Sequence, residues 1–369
     1  NINISLNTVA NCADGGIKVH NAHDIQITNN TIYNNGTQLI MSHDNVAPNS
    51  PLRNISVNNN IFFSKTADQL TLSLSTISND IKNTGDFNNN YYSRPADNDL
   101  IIGVSQVSGG VSTNQKLSLN SWQALFSKDT NSPKSSWKIP IDTVTKVNGT
   151  NKYANGDFNT NTNGLYGYAS AGNFSATWNN NGTLDGGCLK VSFNSVLSSS
   201  NFGSVIIGIG QVAAGKTYRL KFSIQGSDNY KAATAYLRYS LSPYSDISDR
   251  VSCSITQARM EKEILFTAST SVSNASVAFD IPEQPSPVYL DNIKLEEVDA
   301  TKVDADQYLT FVYNNQTALN SFNIVPGVDV YTTKYQNSIT LQPFLSSIIL
   351  KDVVNCPSPP AKPVIKSNP

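Results

Sequence analysis

Charge is scarce in this 369-residue chain: only 14% of residues are Asp, Glu, Lys or Arg, and 26 basic side chains meet 27 acidic ones. With neither a basic excess nor a basic stripe, nucleic acid is not an expected partner. No run approaches the length of about eighteen apolar residues that a membrane-spanning helix needs. Cysteine is also sparse. The four, Cys12, Cys188, Cys253 and Cys356, lie far apart without a CxxC pair, which disfavours a zinc site. Cys188 and Cys253 fall in one expected domain and are either joined or two buried thiols. No residue pattern calls for an organic cofactor.

What is plentiful is Asn, Ser and Thr, a composition that leans toward a secreted protein; the expected setting is a secreted or cell-surface protein of bacterial origin. The length exceeds what one core organises, so two or three domains are expected. The opening "NINISLNTVA" starts in a strand pattern without methionine or a signal-peptide pattern. More chain is therefore expected before Asn1. The closing "NCPSPPAKPVIKSNP", Asn355 to Pro369, reads as a stiff proline-rich linker leading to further domains.

Two stretches echo each other: "DIQITNNTIYNNG" at Asp24 to Gly36 and "NISVNNNIFF" at Asn54 to Phe63. Ile4, Ile27 and Val57 stand three residues before Asn7, Asn30 and Asn60, and Val9, Ile32 and Phe62 stand two residues after. A degenerate copy, "DFNNNYY", puts Phe87, Asn90 and Tyr92 in the same slots. The asparagines recur at intervals of 23, 30 and 30 residues. With Ile2, Ile25 and Ile55 ahead of them, each copy carries a period-two strand. Repeats of this length whose units cannot bury an apolar side alone imply stacked coils. Asparagine tolerates left-handed turns, and stacked copies can hydrogen-bond into a ladder. The segment Asn1 to Tyr92 resembles the right-handed parallel β-helix proteins, many of which cleave or bind polysaccharides. "LSLNSWQALFSKDTNS", Leu117 to Ser132, resembles the short helical segment that follows the last coils in several of them. Its Trp122, Leu125 and Phe126 have helical spacing and are expected to pack on the coil.

The three histidines, His20, His23 and His43, lie in "GGIKVHNAHD" and "MSHDN" near Lys18, Asp24 and Asp44. A lyase acting on uronic-acid polymers needs a base and a charge neutraliser, and a glycoside hydrolase needs two placed carboxylates. Lys18 and His20 alternate with Ile17 and Val19, so they should point outward, where a groove could lie. They are the candidate catalytic pair, against the plainer reading of a solvated strand face. No paired-carboxylate pattern appears. If the parent protein is a glycoside hydrolase or polysaccharide lyase, most of its active site is expected on coils before Asn1.

From about Asn151 the pattern changes. "CLKVSF", "GSVIIGIG", "TYRLKFSI", "ATAYLRYSL", "KEILFTA", "ASVAFDI" and "VYLDNIKLEEV" are short strands between Gly, Asn and Ser turns, the signature of an all-β sandwich. "NGDF" at Asn155, "GGCLKVSF" at Gly186, "AGKTYRLKFSIQG" at Ala214 and "VYLDNIKLEEV" at Val288 follow in that order. Together they resemble a jelly-roll carbohydrate-binding module of the family 4/9 type. The tryptophan usual after the family's opening motif is replaced here by "GLYGY", with Tyr166 and Tyr168. Such modules hold sugars by stacking aromatic faces on pyranose rings and hydrogen-bonding their hydroxyls. The candidates are Tyr166, Tyr168, Trp178, Tyr236, Tyr239 and Tyr244, each weighed against ordinary half-buried packing. Tyr236 and Arg238 should share one strand face, with Leu237 and Tyr239 on the other. The resemblance also implies one structural calcium, with Asp157 and Asp291 at the matching motif positions.

A last β segment, closing with the alternating "SITLQPFLSSIIL", resembles the small β-sandwich that ends many glycoside hydrolases and β-helix proteins. About fifty residues bury little core alone, so it should dock on a neighbour. The expected chain is thus all-β. It comprises a right-handed parallel β-helix fragment (1–147), a jelly-roll β-sandwich (148–299), a small β-sandwich (300–354) and a linker (355–369). Its expected role is the C-terminal part of a modular protein that binds, and at full length is a candidate to cleave, extracellular polysaccharide or cell-surface glycan. The alternative is a cell-surface adhesin or structural stalk without turnover.

Overall fold

The computed structural model describes residues 1–97, 99–170, 174–180, 184–195, 201–227 and 231–351. Cys356 and the proline-rich segment lie outside them. Contacts divide the chain into two units: Asn1–Ile141 together with the segment from Lys302 onward, and Asp142–Thr301.

The first unit begins with four coils, each giving one strand to each of three parallel sheets. Ile2–Ser5, His23–Thr28, Arg53–Asn58 and Gly85–Asn88 stack in one sheet, with Ile4 beside Ile27, Ile27 beside Val57 and Val57 beside Phe87. The second sheet stacks Thr8–Ala10, Thr31–Tyr33, Ile61–Phe63 and Tyr91–Ser93, and the third Gly15–His20, Thr37–Ser42, Leu70–Ser75 and Ile102–Ser108. The apolar repeat positions, Ile27, Val57, Ile32, Phe62, Leu39 and Leu72, all point into one buried core. Val111–Leu117 then turns back antiparallel on Ile102–Ser108 and ends the coiling.

The two roles expected of one asparagine fall on neighbours. Leu6, Asn29, Asn59 and Asn89 carry the left-handed backbone of the turn, with φ of 58°, 56°, 58° and 54°. The residue after each holds the ladder. Asn30 Oδ1 accepts from Asn7 N and Nδ2, both at 3.0 Å. Asn60 Oδ1 accepts from Asn30, and Asn90 Oδ1 from Asn60, at 2.9–3.0 Å. The chain makes its own end-stop. Asn90 N donates to Ser132 Oγ at 2.9 Å and Asn90 Nδ2 to Asp129 Oδ1 at 2.9 Å, so Asp129 and Ser132 stand where a fifth asparagine would.

The helix Leu119–Phe126 starts at Ser118, whose hydroxyl accepts from Ser121 N, and stops at Ser127, whose φ is 54°. Its Trp122 is fully buried against Phe87 and Phe126. Leu309–Tyr313, Ser346–Lys351, Asn320–Asp329 and Tyr335–Leu341 form a single four-stranded antiparallel sheet, not a small sandwich. One sheet cannot cover its own apolar face. The cover comes from the outward side of the second coil sheet: Tyr33, Phe63 and Tyr91 pack with Leu309, Ile348, Leu350 and Trp137. Phe311 stacks on Tyr33 with centroids 4.3 Å apart, and Trp137 Nε1 donates to Val330 O at 3.2 Å.

The second unit is a sandwich of antiparallel sheets. One holds Phe174–Asn179, Cys188–Phe193, Val288–Lys302, Thr217–Gly226 and Met260–Thr267, with Asp142–Val147 paired on Val288–Lys302. That last strand moves the boundary, since the sequence grouped it with the coils. The other sheet runs Leu165–Ala169, Phe202–Val212, Val272–Pro282, Ala232–Tyr239 and Val251–Ser254. Phe222 and Phe279 meet edge to face between them, centroids 5.0 Å apart. Cys188 and Cys253 are buried thiols in opposite sheets, and no bond joins them.

Candidate functional site

The outer face of the second sandwich sheet gathers most of the expected sugar-binding residues. Strand alternation sends Val205, Ile207, Ala235, Leu237, Val277 and Phe279 into the core. The residues between them build two rows on the outside. One row reads Tyr168, Ser204, Asp280, Thr234, Ser252, and the next reads Tyr166, Ile206, Ala278, Tyr236. Arg238 lies one step further along, beside Ser276. Three strand spacings separate Tyr166 from Tyr236, roughly 14 Å at about 4.8 Å each. A floor of Ser204, Asp280, Thr234, Ile206 and Ala278 therefore lies between tyrosine margins.

Tyr166 and Tyr168 are 68% and 55% exposed on the edge strand, with Tyr168 near the Phe202 ring. Behind them Phe174 presses so close that a Cβ on Gly203 would sit 1.9 Å from its ring and one on Gly167 2.6 Å. Only glycine permits that approach, which supports the edge strand from beneath. Tyr236 is on the face yet buried, because the Arg250 guanidinium lies 3.7 Å above its ring centroid. Arg250 also binds Asp280 at 2.8 Å and Asp246 at 2.7 Å, and Asp280 accepts from the Ser204 hydroxyl. Burial, then the Asp280 charge, pushes the Tyr236 phenol up. Tyr244, 55% exposed, carries Arg238 over its ring at 5.0 Å.

Two candidates are elsewhere. Tyr239 turns inward against the sandwich core with Leu237. Trp178 belongs to the opposite sheet, and its Nε1 donates to Phe158 O at 2.7 Å, closing the sandwich edge. The sequence passed over Arg250 and Asp280. Alternation in "AFDIP" puts Asp280 outside, a signal that was there to read, whereas the loop position of Arg250 left none.

Lys18 and His20 do point outward from the first coil, and each meets a carboxylate. Lys18 pairs with Asp14, and His20 Nε2 lies 2.8 Å from Asp44 Oδ2. Hydrogen bonds from Asn21, the Val46 amide and His20 hold the Asp44 carboxyl down at about 2. Their outer-face neighbours, Ile40, Ser42, Ser73 and Ser75, bring no second carboxylate to the pair.

The calcium positions differ in burial: Asp291 is fully buried and Asp157 exposed. Burial, with repulsion from Asp185 and Asp157, lifts the Asp291 carboxyl to about 6. Carboxylate oxygen is suitable chemistry for calcium. The carboxylates around it, though, are already met by protein donors. Asp291 Oδ1 accepts from Asn292 N at 2.8 Å, and Arg259 binds Asp185 at 2.7 Å and Glu261 at 2.5 Å. Among the described residues no group of three or more His, Cys, Asp or Glu side chains is arranged to hold a metal.

No protein-family model matches the chain, and no curated protein matches it by sequence. Solved structures do. A carbohydrate-binding module, CBM4, is 15% identical over 38% of this chain and 95% of its own, with a TM-score of 0.28. A family 11 carbohydrate-binding module from Clostridium thermocellum, in complex with a β-1,3-1,4-mixed-linked tetrasaccharide, is 14% identical over 38% of this chain and 91% of its own, TM-score 0.28. The enzymatically active domain of bacteriophage CBA120 tailspike protein 4 is 13% identical, TM-score 0.33, covering 79% of this chain and 51% of its own.

Proposed function

We propose that this chain binds an extracellular polysaccharide on the outer sandwich face between Tyr166, Tyr168 and the Arg250–Asp280 pair, within a secreted or cell-surface protein. The observation that supports this is the presence, on one sheet face, of two exposed tyrosines at the edge and the Arg250–Asp280 charged network further in. Exposed rings on a rigid strand suit stacking against sugar faces, while Ser204, Thr234, Asp280 and Arg250 suit hydroxyl groups. No cleavage is proposed.

The test is glycan-array binding by the full chain. Wild type should retain at least one polysaccharide, and Tyr166→Ala with Tyr168→Ala should weaken it about tenfold per ring, roughly a hundredfold together. Arg250→Ala should weaken it as well. Retention unchanged in both variants, or no glycan retained by wild type, would overturn the assignment.

For calcium, implied by the resemblance, we propose Asp157 and Asp291 as the holders, with Arg259 and Asn292 moving aside. Calcium should then raise the sandwich melting temperature by several degrees over chelator, and Asp291→Asn should abolish the difference. Identical melting in calcium and chelator would leave Arg259 as the cluster's counter-charge and end the proposal.

A further inference from the structure

The β-helix unit contains a cavity of about 440 Å3 with the makings of a ligand site. This is within the roughly 300–1,000 Å3 range of small-ligand pockets. It forms where the coiling stops. The connection leading into the fourth coil supplies Asn79, Lys82 and Asn83, the closing antiparallel hairpin supplies Gln106 and Gln115, and the helix end supplies Leu125 and Phe126.

We propose that this cavity is a saccharide site distinct from the sandwich face. Its polar lining is almost wholly carboxamide, from Asn79, Asn83, Gln106 and Gln115, and it contains no carboxylate. Each amide offers two donors and an acceptor, which matches hydroxyl groups that both give and take hydrogen bonds. The Gln106 Oε1 atom is buried with no hydrogen-bond partner, an acceptor that a ligand hydroxyl can satisfy once the side chain turns toward the cavity. Leu125 and the largely buried Phe126 supply an apolar patch suited to a sugar's C–H face. Other ligands fit less well. The helix presents its C-terminal end here, whose partial negative charge repels phosphate, and no arginine lines the cavity. Four amides are too many for a lipid chain. Lys82, exposed, leaves room for one acidic group on the sugar.

The site rests on the cavity alone, so it can be separated from the sandwich reading. Full-length protein with Tyr166→Ala and Tyr168→Ala is applied to an array of neutral and uronic oligosaccharides, alone and with Asn83→Leu and Gln115→Leu added. The expected result is residual saturable binding that falls at least tenfold on adding the cavity substitutions, with the melting temperature unchanged. Trp122 lies 5.0 Å from Phe126, ring to ring, so its emission should change with binding and lose that response in the cavity variant. Binding abolished by the tyrosine substitutions alone keeps the sandwich face and overturns the cavity. Binding untouched by the tyrosine substitutions but lost with the cavity substitutions does the reverse. Residual binding undiminished by the cavity substitutions also overturns the cavity site.

Discussion

Replacing Asp129 with alanine should cost the β-helix unit about 3–5 kcal/mol, enough to unfold its last coil near room temperature. The carboxyl is fully buried and is met only by donors: Trp122 Nε1, Tyr92 hydroxyl and Asn90 Nδ2 at 2.9 Å, and Ser132 hydroxyl at 2.5 Å. Alanine orphans all four where no water reaches, at roughly 1–3 kcal/mol for each that finds no new partner. Asp129 also adopts φ 58°, which alanine resists and asparagine accepts. Asp129→Asn should therefore lose less than half as much, because only one oxygen becomes a donor. Denaturant unfolding followed by tryptophan emission reads both variants, since Trp122 and Trp137 report on this unit. If the two substitutions lose equal stability, the carboxyl is not the end-stop of the ladder.

Asn60→Ala should cost about 3 kcal/mol, and Asn7→Ala well under 1 kcal/mol, although both residues occupy the same repeat slot. Asn60 is 1% exposed. Its Oδ1 accepts from Asn30 twice, while Nδ2 donates to Ile27 O at 2.8 Å, Asn58 O at 3.1 Å and Asn90 Oδ1 at 3.0 Å. Asn7 is exposed at the first coil, where water replaces whatever is removed. The preceding residue should behave oppositely. Asn59→Gly should be nearly neutral and Asn59→Val costly, because that position needs a left-handed backbone and has no ladder role. The same melts check the whole series. A large loss at Asn7 together with a small one at Asn60 would contradict the ladder energetics.

The repeat was legible because stacking imposes periodicity: one residue type must return at each coil to complete the same bonds. Sandwich strands were legible for a similar reason, alternation, which placed Tyr236 and Leu237 on opposite faces. Features depending on a single distant partner left less trace. Asp129 and Ser132 imitate an asparagine without sharing its spacing. The strand Asp142–Val147 belongs to the sandwich because it pairs with a strand some 150 residues later. Trp178 sits in a polar stretch that suggests exposure and is exposed, but on the sheet opposite the tyrosines, with its indole N–H donated to the Phe158 carbonyl. Tyr236 and Arg250 meet through a loop, and loops carry no period from which such a meeting can be inferred.

The sandwich enters after Ile141 and leaves at Lys302, and Val303 N donates to Ile141 O at 2.9 Å. Its two connections therefore leave the first unit side by side. Tension applied between the coils and the docked four-stranded sheet runs through their shared apolar seam and across this clasp. The sandwich is an insertion between two residues that are hydrogen-bonded to each other within the first unit. A load applied to the sandwich, in contrast, reaches the first unit through both connections at once.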